Sequence, residues 1–419
     1  MNFEHSERSQ KLQGQVQDFF ANHILPRNRE WHQYLRQHGT HPPFLKDLQK
    51  MAREQGLWNL GLPELAENEP GTRLPNLEYA PLAEIMGRLE WASLVFNCQA
   101  PDVPNMMILQ AFGTVEQKER WLAPLLEART RSGFAMTEPD VASSDATNIR
   151  TKITREGDEY IINGHKWFST GSANPDCSFI VLMGMTAQGE SRLGNHSVMI
   201  VPTDTAGLKI LRTNKFLGHH DPASPIGEIR FTDVRVPVDH LLGQEGLGFL
   251  IGQARLGPAR VHHCMRAIGN CEVLIELMTA RSHERIAFGR SINEYDTVQT
   301  WIALSRLELE QARLLVHKTA WLLDTQDHRL ARREVSLIKV AVARTYQQIA
   351  DRAIQVFGAM GVTEDTPIAM AFAGARSLRI GDGPDEVHLR RIFRLEPSPE
   401  HTIAESPYII PFEGGEDDN

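Results

Sequence analysis

The chain has 419 residues, of which 41% are apolar and 23% charged, with a net charge of -9. These are the proportions of a folded globular protein too long for one small core, so two or three subdomains sharing an interior are expected. The acidic balance, with no Lys/Arg cluster interleaved with aromatics, argues against a nucleic-acid binder, and no apolar run is long enough to span a bilayer.

The opening stretch MNFEHSERSQKLQGQVQDFF is polar where a secretory signal would be apolar, so a cytoplasmic or equally reducing location is expected. The four cysteines, Cys98, Cys177, Cys264 and Cys271, form no C-x-x-C pair and read as buried free thiols. Up to about Thr130, apolar residues recur at intervals of three and four, which predicts helices broken at GTHPP and ENEPGTRLPN. From there to about residue 240 the texture is that of strands. DEYIINGHKWFSTG places Asn163-Gly164 between two strand-like runs, predicting a tight hairpin, and SFIVLMGM, HSVMIVP and GEIRFTDVRVP add three more strands.

Long helices return after GQEGLGF. One predicted apolar face runs through Trp301, Leu304, Leu307, Leu314, Leu315 and Leu322, and another through Leu337, Val340, Ala341, Ile349, Ala353 and Val356. The expected organisation is 1–130 helical, 131–240 β, 241–400 helical bundle, and 401–419 an acidic, glycine-rich tail without structure. The glycines Gly246, Gly248 and Gly252 lack dinucleotide-loop spacing. The pairs His219-His220 and His262-His263 do not form a ligand array, since adjacent side chains on a helix diverge, so no metal is expected. No G-x-S-x-G element is present.

Five segments change the reading: FAMTEPDVASSD at 134–145, NGHKWFST at 163–170, RIAFG at 285–289, QVFGAMGV at 355–362 and RIGDGPDEVH at 379–388. In this order they resemble the acyl-CoA dehydrogenase family, in register over nearly the whole chain. DGPDEVH and RVHHCM are similar to the branch whose animal members carry an added phosphotransferase-like domain, which is not expected in these 419 residues. The resemblance implies an α+β fold with an N-terminal helical domain, a middle β-barrel or sandwich and a C-terminal four-helix bundle. It also implies FAD between the β domain and the bundle, and a homodimer or a tetramer built as a dimer of dimers.

The same resemblance implies the site. Phe134, Met136 and Thr137 would line one side of the flavin, and Phe168, Ser169 and Thr170 the other, with Phe168 where the family more often has Trp. Ser143 would lie near the flavin pyrophosphate and the bound thioester. Arg285, Phe288, Gly289, Gln355 and Gly358 would contact the flavin of a neighbouring subunit, and Glu386 would also touch the cofactor. For Asp382 the residues alone read as a turn, with Asp385 or Glu386 capping the helix that follows. The resemblance places the catalytic base on Asp382, with Gly383 and Arg260 binding substrate.

Two departures accompany that assignment. Asp is shorter than the commoner Glu by one methylene, about 1.5 Å of reach, while Gly381 and Pro384 replace the usual aromatic and hydroxyl residues. A minority of relatives carry the base on the bundle helix just before an arginine; here the arginine is Arg260 and the residue before it is Ala259. The implied reaction is FAD-dependent oxidation of a medium to long, branched or 4-substituted acyl-CoA to the 2-enoyl-CoA, with electrons passed to an electron-transfer flavoprotein. The alternatives are a flavin oxidase of the same fold, acting on acyl-CoA or a nitroalkane, and a catalytically silent flavoprotein or binding module.

Overall fold

The structure is a computed structural model that describes residues 5–187, 192–221, 223–326 and 331–397, with single positions at 403, 406 and 408. Most of the tail predicted to lack structure lies outside the described residues. The first part is helical: α1 (Glu7–Phe19), α2 (Asn28–His38), α3 (Phe44–Glu54), α4 (Asn76–Gly87), α5 (Ala92–Val95), α6 (Asp102–Phe112), α7 (Val115–Gln117) and α8 (Ala123–Leu126). Trp31 of α2 stacks on Trp91 with ring centres 4.3 Å apart, at the heart of a core that this part shares with the C-terminal helices.

The strands are β1 (Arg131–Ala135), β2 (Lys152–Glu156), β3 (Glu159–Thr170), β4 (Cys177–Met185), β5 (His196–Pro202), β6 (Leu208–Thr213), β7 (Ile226–Pro237) and β8 (Leu241–Leu242). They form one sheet in the order β6-β7-β3-β1-β4-β5-β8, and β2 pairs with both β3 and β4. β1, β3, β2 and β4 therefore close a ring of pairings, the barrel-like part of the domain. Only β1 against β4 and β2 against β4 run parallel among these pairs.

Asn163-Gly164 is not a hairpin turn, contrary to the sequence expectation. Both residues lie inside the continuous strand β3, at an irregularity in its pairing with β7. Asn163 exchanges two hydrogen bonds of 2.9 Å with Asp233 across the strands, and a Cβ on Gly164 would fall 2.3 Å from Thr151 Oγ1. The glycine is there for close packing. The turn into β3 is instead Gly157-Asp158, with Gly157 at φ +62°.

The remaining helices are α9 (Gly248–Glu284), α10 (Asp296–Thr325), α11 (Arg332–Phe357), α12 (Ile368–Leu378) and α13 (Asp385–Arg394), with a small hairpin of β9 (Ile286–Ala287) and β10 (Arg290–Ser291) after α9. The predicted face of α10 is corrected: Leu304, Leu307 and Leu314 are exposed, and the buried side runs through Leu309, Ala312, Val316 and Ala320. On α11 the expected Val340, Ile349, Ala353 and Val356 are buried, whereas Leu337 and Ala341 are only partly so. Helices α4 and α9 touch backbone to backbone. A Cβ on Gly87 would fall 2.0 Å from the Arg266 carbonyl, and one on Gly269 would fall 1.9 Å from that of Glu84. This contact fixes the middle of α9, which faces the site.

Candidate active site

The loop between α12 and α13 carries Asp382 in the left-handed region, φ +55°, followed by Gly383 at φ +103°. A side chain is disfavoured at such angles, so the loop must be held by its surroundings. The Asp382 carbonyl accepts from Arg260 Nε at 2.7 Å and faces His388 Nε2 at 3.3 Å. Because a carbonyl only accepts, His388 carries its proton on Nε2 and takes a bond from Ser336 Oγ, 3.2 Å away, on Nδ1. Gly383 is required under this arrangement, since a Cβ there would lie 2.9 Å from His388 Nε2.

The turn reading of DGP holds, with Asp382 and Gly383 both in the left-handed region. The helix-cap expectation is corrected: Pro384 is the N-cap residue, and the buried Asp385 carboxylate is instead bound by Arg379 at 2.8 Å and Arg344 at 3.1 Å. Glu386 is exposed on the first turn of α13.

The Asp382 carboxylate itself faces His263 Nε2 at 3.5 Å, with 22% and 32% of the two side chains accessible. Burial pushes its pKa up, but His263, which is charged only once it protonates at acid pH, and the charges of Arg255, Arg260 and Lys339 outweigh that and hold it below the ordinary carboxylate value. Arg260 is buried, so it is no solvated bundle-surface arginine. Lys339 of α11, almost wholly buried, donates to the Leu378 carbonyl at the end of α12. Among the described residues nothing accepts from the Asp382 N–H, which leaves that donor available to a ligand.

Arg255, whose charge acts on Asp382, reaches the sheet. Its guanidinium lies 3.5 Å from the centre of the Phe134 ring and its Nε donates to Asn105 Oδ1 at 2.8 Å, while burial pushes its pKa down to about 10. Phe134 pairs with Thr170 across β1 and β3, and Trp167 N donates to Thr137 O at 3.0 Å. The segments 134–137 and 167–170 are thus adjacent, and Phe134, Met136, Thr137, Phe168, Ser169 and Thr170 lie in one neighbourhood. Ser143 closes the loop beside them, its Oγ accepting from Glu138 N at 2.9 Å.

This neighbourhood suits a flat polar ring system. Ser169 Oγ and Trp167 Nε1 are buried without a partner among the described residues, an arrangement that is costly unless a ligand or water completes it. Phe168, at φ +47°, is partly exposed and stacks on Phe216 with ring centres 5.9 Å apart. Aromatic faces beside unpaired polar groups are what a flavin ring needs.

Arg285, Phe288, Gly289, Gln355 and Gly358 form a separate exposed group. Arg281 over the Phe357 ring, 5.5 Å from its centre, draws the ends of α9 and α11 together. Phe288, at the tip of the β9–β10 hairpin, is 99% exposed. Thirty residues of helix separate Arg255 from Arg285, about 45 Å of rise. The chain does not bring this group to the Phe134–Thr170 strands.

Three family models cover these parts: the acyl-CoA dehydrogenase N-terminal domain at 6–129, the middle domain at 133–234 and the C-terminal domain at 246–395. The chain belongs to the acyl-CoA dehydrogenase family. It is 46% identical to "Probable acyl-CoA dehydrogenase FadE2" of Mycobacterium tuberculosis over 96% of this chain and 98% of that protein. It is also 46% identical to "Acyl-CoA dehydrogenase family member 11" of Gallus gallus over 94% of this chain, but it spans only 51% of that relative's length. Among solved structures, a Mycobacterium abscessus chain of this family superposes with a TM-score of 0.89 at 45% identity, covering 94% and 99% of the two chains. One fold neighbour was solved as the FAD complex of PigA, with a TM-score of 0.81 at 22% identity. Among the described residues no helix is long and apolar enough to cross a membrane.

Four residues around Asp382 were not singled out from sequence for this place: Arg255, His263, Lys339 and His388. His262 and His263 do diverge, His262 packing on Tyr79 and His263 facing Asp382. The signal that could have found His263 is its i+3 spacing from Arg260 on one helix.

Proposed function

We propose that the protein is an FAD-dependent acyl-CoA dehydrogenase in which Asp382 removes the α-proton of an acyl-CoA, giving the 2-enoyl-CoA. The observation that carries this reading is an ionised carboxylate that accepts no hydrogen bond among the described residues and feels the charge of Arg255, whose guanidinium covers the Phe134 ring. When bound, FAD supplies the acceptor for the β-hydrogen, which leaves as hydride. Met136, Thr137, Ser143 and the 168–170 segment would hold its ring and pyrophosphate end. The Asp382 N–H would bind the thioester oxygen as negative charge develops there, and Gly383 lets the loop approach the substrate. Arg260 fixes the backbone of the base and favours its ionised form.

The exposed Arg285–Gly289 hairpin with Gln355 and Gly358 fits contact with the flavin of a second subunit, in a dimer or a dimer of dimers. Electrons then pass to an electron-transfer flavoprotein. The acyl chain is read as medium to long, branched or 4-substituted. The test is anaerobic bleaching of the protein's flavin absorbance by a panel of acyl-CoAs. Rapid bleaching by a subset supports the reading, and reoxidation by an electron-transfer flavoprotein but not by oxygen supports the acceptor. Bleaching by no acyl-CoA overturns the reading, and a flat profile across simple and 4-substituted chains overturns the substitution preference.

A further inference from the structure

Arg266 and His263 lie one turn apart on α9. Arg266 Nη2 is 3.1 Å from His263 Nδ1, and a guanidinium can only donate. Nδ1 is therefore the accepting, unprotonated nitrogen, and the single ring proton sits on Nε2, the atom that faces Asp382 Oδ2 at 3.5 Å. Burial, together with the Arg266 charge, keeps this imidazole neutral by pushing its pKa down to about 4. Arg266 is itself anchored: it is buried, its Nη1 donates to Cys98 O at 3.3 Å, and its backbone lies at the close contact with Gly87 of α4.

The other groups facing the base act differently. Arg255 and Arg260 of α9 and Lys339 of α11 act on the carboxylate through charge, and His388 of α13 faces the carbonyl. His263 is the donor whose direction is fixed by a neighbour. At 3.5 Å its N–H is just beyond hydrogen-bond length, and catalytic hydrogen bonds commonly shorten only when substrate is bound.

We propose that Arg266 and His263 are positioning residues for the base: Arg266 fixes the Nε2–H tautomer of His263, and that N–H holds Oδ2 of Asp382 so that Oδ1 takes the proton. The proposal rests on the reading of Asp382 as the α-proton acceptor. In the step, the α C–H bond breaks, its electron pair stays with the acyl thioester, and the proton moves to Oδ1. His263 and Arg266 keep their protons throughout. Such a device suits an aspartate, whose short side chain leaves little slack for finding the α-proton.

The experiment uses the holoenzyme and four variants: His263→Leu, His263→Gln, Arg266→Met and the His263→Gln/Arg266→Met double. Nitrogen-15 NMR of labelled histidines, with the His263 signal assigned by its loss in His263→Gln, is expected to show the Nε2–H tautomer in the wild type and a mixed tautomer in Arg266→Met. Single-turnover flavin reduction by an acyl-CoA is expected to slow about 10–100-fold in His263→Leu with little change in half-saturation. His263→Gln, which keeps an N–H donor, is expected near the wild-type rate. Arg266→Met should slow reduction only where residue 263 is histidine.

An Nδ1–H tautomer in the wild type overturns the proposal. So does an equal loss on Arg266→Met in both backgrounds, because Arg266 would then act on its own. If His263→Leu does not fold, the Arg266→Met comparison in the two backgrounds decides. A wild type bleached by substrate, with His263→Leu equally fast, overturns this proposal alone, whereas a wild type bleached by no acyl-CoA overturns the functional reading and the proposal with it.

Discussion

Glu138, which is buried, and Asp382, which is partly so, are both carboxylates whose pKa is pushed up by burial and brought below the ordinary value by their neighbours. Their surroundings differ in kind. Glu138 Oε1 accepts from Lys166 Nζ, Thr151 N and Thr151 Oγ1 at 2.6–2.9 Å, and Oε2 from Arg150 N at 2.8 Å. Asp382 directs its hydrogen bonds through its carbonyl, and among the described residues no donor bonds to its carboxylate oxygens. A carboxylate saturated with donors is committed to structure, here joining the 138–151 loop to β3. One held ionised mainly by the charges around it keeps its lone pairs for an incoming proton.

The widest test of that contrast is to neutralise each partner. Asp382→Asn should lower kcat by about 10²- to 10⁴-fold, the usual worth of a general base, while flavin content and thermal midpoint stay near those of the wild type. Lys166→Met should do the reverse. Removing one partner of a buried pair costs about 3–5 kcal/mol, read as a lower urea midpoint with loss of flavin, because Lys166 also donates to Met136 O at 2.7 Å in the segment proposed to hold the flavin. An Asp382→Asn protein that fails to fold, or a fully stable Lys166→Met, would break the distinction.

How far each region is legible in sequence follows from the range of its contacts. The alternation of apolar residues in SFIVLMGM and HSVMIVP specifies strands without reference to anything distant. NGHK misleads because the partners that make it a strand interior, Asp233 and Thr151, lie elsewhere in the chain. The stripe through Leu304, Leu307 and Leu314 misleads for another reason: periodicity marks an apolar face without saying whether that face meets the core. At the site, Asp382 and Arg260 are reached through family resemblance. Arg255, His263, Lys339 and His388 become neighbours only when α9, α11 and α13 pack, so no local pattern contains them all. The R-x-x-H-x-x-R spacing from Arg260 to Arg266 is the one part written on a single helix face.

Glu90 offers a third environment, a half-buried carboxylate without compensating cations. Burial and the nearby Asp221 push its pKa up to about 7. Its folded pKa is above the unfolded value of about 4.3, so the folded state binds the extra proton and stability falls as pH rises between the two values. Glu90→Gln should therefore raise stability at pH 8 by about 1–3 kcal/mol and change it little at pH 4. Thermal melts at the two pH values measure this, and an equal effect at both would show that Glu90 does not carry a buried charge.

The smallest expected effect bears directly on Asp382. On the proposed reading activity depends on the ionised form of Asp382, so kcat/KM is present above its pKa and lost as pH falls through it. Because that pKa is lowered in the free protein, the acid limb of kcat/KM should lie below the ordinary aspartate value of about 3.9. Lys339→Gln removes one of the four groups holding it down while keeping a donor for the Leu378 carbonyl, so the limb should move upward with little change in the plateau. Glu138 predicts no such movement, since its oxygens face donors and not substrate. A limb that stays in place would mean that His263 and the arginines of α9 set the ionisation of Asp382, and that the α11 lysine serves only to close the end of α12.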